Sequence, residues 1–247
     1  MIPESMQPWL PFIVALGVLV VAHRVTTRVI FALFFRLTHS RSFCLYTYAL
    51  LTWPGTVVHE FSHWLMAKLL GVPVGWPELL PSHGGMVFGS VRHAHTDMFR
   101  HSLIGVAPLF FGSGVVAALA YNAFSLPVPA LEISGVSSLL PLLEAFPTVF
   151  EVPYAWVYIY FLFAVANGMM PSPTDRAAWP AVLLFASLSA ALLLFLFGVP
   201  EVPLTVIEWV LELSAWLSFA FIITAVLDAA LLVIIWPVER LFWMLGW

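Results

Sequence analysis

The chain has 247 residues, 62% of them hydrophobic and only 9% charged, with a net charge of -4 and a mean hydropathy of +1.00. Soluble domains carry roughly 25% charged residues, so this composition excludes a large water-soluble domain and predicts an all-helical polytopic membrane protein, a single integral-membrane domain over residues 1–247. No basic run suggests nucleic acid as a partner, and Cys44, the single cysteine, excludes an intramolecular disulfide.

Residues 1–9 lack the basic start of a secretory signal and no small-residue cleavage pattern follows, so the first apolar run is expected to remain as a span. His23, Arg24, Thr26, Thr27 and Arg28 interrupt it. Two readings stay open: one long tilted helix with a polar stripe against protein, or a short span followed by an interfacial helix carrying Arg24, Arg28, Arg36 and Arg41.

The second span is expected at about residues 43–70, stopped by Gly71 and Pro73, and it contains His59-Glu60-Phe61-Ser62-His63. Four residues apart on a helix, His59 and His63 share a face and can bind one metal ion. Glu60 beside them can take a proton from a water that the ion has made acidic. The bland alternative is a helix with two satisfied histidines and a buried acid. Ionisable groups at mid-bilayer each cost a few kcal/mol, about 2.5–3.5 on insertion scales, and metal binding is a sufficient reason for three of them together. Pro54-Gly55, about one turn earlier, reads as a kink, either ordinary or lining a wet cavity.

Between Val72 and Arg100 the prolines and glycines punctuate β-like stretches such as Met86-Val87-Phe88 and Ser90-Val91-Arg92, so a short re-entrant β-like segment is expected, with an edge that an unfolded substrate could join. His93, His95 and Asp97 alternate; they would share a face on a strand and bind a second ion, or sit as solvated loop residues. The third span, about residues 102–124, holds Gly105, Ala107, Gly112, Ser113, Gly114, Ala117 and Ala118, which permit close helix approach at the bundle centre. Residues 125–153 contain no Lys or Arg and are expected to hold a short interfacial helix near residues 137–146.

A fourth span, about residues 154–170, runs into Asn167-Gly168-Met169-Met170-Pro171-Ser172-Pro173-Thr174-Asp175. Catalytic zinc takes three protein ligands and keeps one position open, so the two histidines need a third partner. Asp175, after a proline-broken segment, is the best candidate; the alternative is an N-cap for the span that follows. Two further spans, about residues 176–197 and 202–236, bring the expected total to about six. Asp228 is an intramembrane acid, either functional or hydrogen-bonded to a neighbouring helix, and Trp236, Trp243 and Trp247 fit an interfacial belt.

Together the His59-Glu60-x-x-His63 helix and the later Asn167…Pro…Asp175 segment resemble the site-2 protease family of intramembrane zinc metalloproteases. The resemblance covers about residues 52–178 and marks a divergent member: Arg176 follows Asp175 where many members have glycine, and Val106-Ala107-Pro108 lacks the asparagine that usually follows. It implies one zinc ion held by His59, His63 and Asp175, Glu60 as the catalytic base and Asn167 as a substrate contact. The catalytic core would then occupy about residues 43–178, with peripheral helices at about 10–37 and 179–236.

The function expected is zinc-dependent cleavage of membrane-associated or transmembrane protein or peptide substrates in the lipid bilayer. The alternative is a catalytically silent membrane scaffold or assembly partner; a transporter would require repeats or paired broken helices that the sequence does not display. Placing Lys68, Arg92, Arg100, Arg176 and Arg240 inside puts the site toward the cytoplasmic half of the cell membrane, although Arg36 and Arg41 oppose that orientation.

Overall fold

The computed structural model describes residues 10–79, 89–126, 144–198 and 203–245. Its elements are α1 (Leu10–Thr38), α2 (Arg41–Leu51), α3 (Trp53–Leu69), α4 (Met98–Phe124), a 3-10 helix (Phe146–Glu151), α5 (Ala155–Gly168), α6 (Trp179–Phe197) and α7 (Leu204–Met244). Among the described residues four helices, α1, α4, α6 and α7, are long and apolar enough to cross a membrane, which marks a helical membrane protein.

The expected count of six spans is therefore corrected, and the reason is local. The run over residues 43–70 divides at Thr52 into helices of 11 and 17 residues. Pro54 stands in the first turn of α3, where its missing N–H costs nothing, and upstream Thr52 Oγ1 donates to Tyr48 O at 2.9 Å. At 1.5 Å per residue these pieces reach only about 16 and 26 Å, and α5, with 14 residues, about 21 Å, against a hydrocarbon core of about 30 Å. At the first span the structure selects one continuous helix: Thr26 is buried, while Arg24 and Arg28 are exposed.

The re-entrant β-like segment is also corrected. Val74 pairs with His93 and Glu78 with Ser90, both antiparallel, as isolated bridges without a strand. Pro73 and Pro77 have no N–H to offer a ladder, so the reciprocal pair of bonds between Glu78 and Ser90, 2.9 Å each way, is not extended into a strand. Met86-Val87-Phe88 and most of the interfacial helix expected at residues 137–146 lie outside the described residues.

In the bundle, α1 packs along α7, while α4 touches α3, α5, α6 and α7. Ala15 and Leu19 from α1, Val116 and Ala120 from α4, Leu162 and Val165 from α5, and Phe219 and Phe221 from α7 share one core. The central position expected of the third span holds: Gly105, Ala107, Gly112 and Ser113 are buried. By contrast α6 buries no residue and meets α4, with Phe185 edge-on to Phe99.

The backbones of α3 and α5 approach closely. A Cβ on Gly55 would collide with the Ala164 carbonyl, and one on Gly168 would meet the Gly55 backbone at 2.5–2.8 Å. Backbone cannot swing aside as a flexible side chain can, so Gly55→Ala is expected to lose about 1–3 kcal/mol of stability. Gly114→Ala, where a Cβ meets open space, should lose nothing. Thermal unfolding of the two variants in one detergent checks the pair.

Candidate metal centre

Helix periodicity brings His59 and His63 together, and their rings meet edge-on with centroids 4.6 Å apart. The orientation of each ring is set by a backbone carbonyl: His59 Nδ1 donates to Gly168 O at 2.7 Å and His63 Nδ1 to Ile104 O at 2.8 Å. With Nδ1 protonated in both neutral rings, the Nε2 lone pairs are bare. They face each other at 3.0 Å.

Asp175 completes the group from a separate stretch of chain. Beyond α5 the prolines at 171 and 173 prevent a helix, and Ser172 and Asp175 tie the turn: Ser172 N donates to Asp175 Oδ2 at 2.6 Å and Asp175 N to Ser172 Oγ at 3.3 Å. Asp175 is not the N-cap of α6. That place belongs to Ala178, and Pro180 stands in the first turn. The carboxylate instead reaches His63 Nε2 at 3.2 Å and His59 Nε2 at 3.5 Å, and the three side chains keep between 9% and 14% of their exposure.

Two bare nitrogens and a carboxylate in such proximity repel one another unless positive charge lies between them. A proton on His63 Nε2 relieves its two contacts and leaves His59 Nε2 facing Asp175, whereas a cation between the three relieves them all. Tetrahedral ligation at about 2.0–2.1 Å separates ligand atoms by roughly 3.3 Å, and the observed 3.0, 3.2 and 3.5 Å bracket that value. Among the described residues His59, His63 and Asp175 are the one group of His, Cys, Asp or Glu whose donor atoms gather in this way, all within 4.8 Å. The donor set fits a zinc ion.

Glu60 is buried in the middle of α3, within electrostatic reach of both histidines and of Asp175. Gly89, from the bridged segment, lies against it: a Cβ there would come 2.8–2.9 Å from Glu60 Cγ and Oε1. Gly105 does the same service for Asp175, because a Cβ on that residue of α4 would strike the Asp175 backbone carbonyl. Gly105→Ala should therefore push Asp175 off the histidines and weaken metal binding by about tenfold or more, with helix content retained; chelator competition and circular dichroism measure both.

The remaining candidates lie elsewhere. Asn167 is buried in a separate polar cluster: its Oδ1 accepts from His23 Nδ1 at 3.0 Å, and its Nδ2 donates to Asp228 Oδ1 at 3.0 Å and Phe163 O at 3.1 Å. Both hydrogens of its amide are engaged by these partners. Asp97 is the N-cap of α4, accepting from Arg100 N at 3.0 Å, and this bond, with the Arg100 guanidinium, holds its carboxyl below the ordinary range. His93 bonds the Ala94 carbonyl and its ring stands beside His101, so the solvated-loop reading of His93, His95 and Asp97 is the one favoured.

Sequence reasoning missed the carbonyls of Gly168 and Ile104 and the covering role of Gly89. Backbone acceptors leave no trace in residue type, and the small residues of α4 signalled only that something comes close. No family model matches this chain, and neither does any curated protein or solved structure.

Proposed function

We propose that this protein is a multi-pass intramembrane zinc-dependent endopeptidase of the site-2 protease type, cleaving membrane-associated or transmembrane protein substrates at His59, His63 and Asp175. The observation that carries this reading is the convergence of two Nε2 atoms, each with its Nδ1 held by a carbonyl, on one carboxylate, beside a buried glutamate. The apolar helices around it support a membrane setting, for which we favour the cell membrane with the site toward the cytoplasmic half.

A zinc ion held by His59, His63 and Asp175 would supply Lewis acidity for the scissile carbonyl and for water. The chain's residues do the rest. In the neutral rings Gly168 and Ile104 keep the imidazole protons on Nδ1, which leaves both Nε2 atoms as the lone-pair donors. Asp175 contributes the negative charge that balances a divalent cation. Glu60 accepts a proton from the attacking water and returns it to the departing amine nitrogen, which leaves as the peptide C–N bond breaks. A spanning substrate must present an unwound stretch, because helical carbonyls are already bonded within their own helix.

Metal analysis of purified, folded wild type is the test: about one zinc per chain is the expected content. Metal-free protein after purification without chelators would turn the assignment to a catalytically silent scaffold. Iron in place of zinc would point to oxygen chemistry, since two histidines and a carboxylate also suit that ion.

A further inference from the structure

We propose that Asp228 and His23 are positioning residues for the metal centre, acting through Asn167 and the end of α5. This inference rests on the metal-site reading above and extends it to α1 and α7, outside the segment that resembles a known family.

Asp228 is fully buried on α7, and its Oδ2 has no hydrogen-bond partner among the described residues. Such a carboxylate inside an apolar bundle is costly, and on packing grounds alone an apolar residue would serve α7 better. Its Oδ1 accepts from Asn167 Nδ2 at 3.0 Å, and on the other side of the amide His23 Nδ1 donates to Asn167 Oδ1 at 3.0 Å. One side chain of α5 is thus gripped from α1 and α7 at once.

The grip falls at a meaningful place. Asn167 directly precedes Gly168, the last residue of α5, whose carbonyl accepts the His59 Nδ1 proton at 2.7 Å. Gly168 also stands against Gly55, so a small rotation of the α5 terminus has nowhere to go except into α3 or away from His59. The path from Asp228 and His23 to the ligand is Asn167 amide, Gly168 carbonyl, His59 imidazole. Outer hydrogen-bonding partners of this kind fix ring orientation and tautomer, and their loss typically lowers metal affinity 10–100-fold.

The experiment uses the full chain in detergent, with cobalt as the probe metal, comparing wild type, Asp228→Ala, Asp228→Asn, His23→Ala and His59→Ala. Competition with a chromophoric chelator gives the affinity, and the visible absorption of bound cobalt reports ligand geometry. Asp228→Ala should weaken binding about 10–100-fold and shift the cobalt bands; Asp228→Asn, whose Oδ1 can accept the same amide proton, should return to within about threefold of wild type; His23→Ala should fall between. Should Asp228→Ala fail to fold, His23→Ala decides by the same two readouts. Variants that melt at lower temperature yet keep wild-type affinity and spectrum would reduce the cluster to packing and overturn the proposal while leaving the metal site standing. Wild type that binds no cobalt, or binds it undiminished by His59→Ala, would overturn the metal-site reading itself and this proposal with it.

Discussion

Purified Asp175→Ala protein is expected to keep its helical bundle and lose its metal, with affinity down by more than the 10–100-fold typical of removing an outer hydrogen-bonding partner. The reason is the count of donors. His59 and His63 alone leave a divalent ion with two protein ligands and no balancing charge, whereas catalytic zinc sites use three. Alanine at 175 also removes the acceptor for Ser172 N, so the turn after α5 could loosen for reasons unrelated to metal. Asp175→Asn separates these effects: it retains an oxygen for Ser172 N but carries no charge. Loss of zinc in both variants, and in His59→Ala, by elemental analysis on protein with wild-type circular dichroism, assigns the carboxylate to the ion. Wild-type zinc content in Asp175→Asn and Asp175→Ala alike would remove Asp175 from the site and leave its approach to the histidines as a simple ion pair.

The site is assembled where glycine lets backbone come close. Gly55 against Gly168 brings the α5 terminus within reach of His59; Gly105 admits the Asp175 loop beside α4; Gly89 lies over Glu60. Each contact joins different parts of the chain, and a methyl group would oppose each. In a bilayer, where burying apolar surface drives helix association only weakly, close van der Waals approach and interhelical hydrogen bonds replace the hydrophobic effect as the source of specificity. The same residues that hold the helices together consequently set the distances between His59, His63 and Asp175.

How much of this was legible in the sequence depended on whether the signal was local. His59 and His63 could be paired because four residues on a helix fix a shared face, and Asp175 because prolines at 171 and 173 marked a break beside an apolar segment. The number of spans was not legible, because hydrophobicity cannot distinguish one run of 28 residues from α2 and α3 divided at Thr52, nor reveal that α5 stops after 14. For Asn167 the relevant partners lie 144 and 61 residues away in the chain, on α1 and α7. For Asp228 the second of the two alternatives, a bond to a neighbouring helix, is what the structure contains. Ser90-Val91-Arg92 had the residue types of a strand, but the segment bridged to it carries Pro73 and Pro77, which lack the donors that a ladder needs.

Glu60→Gln should leave zinc content at the wild-type level and reduce peptide hydrolysis by at least about two orders of magnitude, the lower end of what a positioned general base contributes. Glutamine matches glutamate in shape and can still accept a hydrogen bond, so Gly89 keeps its packing partner and α3 its fold. What it cannot do is take a proton from water. The assay reconstitutes wild type and variant in vesicles with a single-span peptide carrying Gly and Pro near its centre, so that an unwound stretch is available, and identifies fragments by mass spectrometry. Fragments produced by wild type and absent with Glu60→Gln, at equal zinc, tie hydrolysis to this carboxylate. Equal cleavage by both proteins would remove Glu60 from the mechanism even with the ion in place. Zinc in both and fragments in neither, across peptides of different sequence, would favour a scaffold that has kept its metal as structure. Burial of Glu60 beside two histidines that spend their Nδ1 protons on backbone is a costly arrangement for a scaffold, since replacing all three polar groups with apolar ones would relieve the bundle of ionisable side chains.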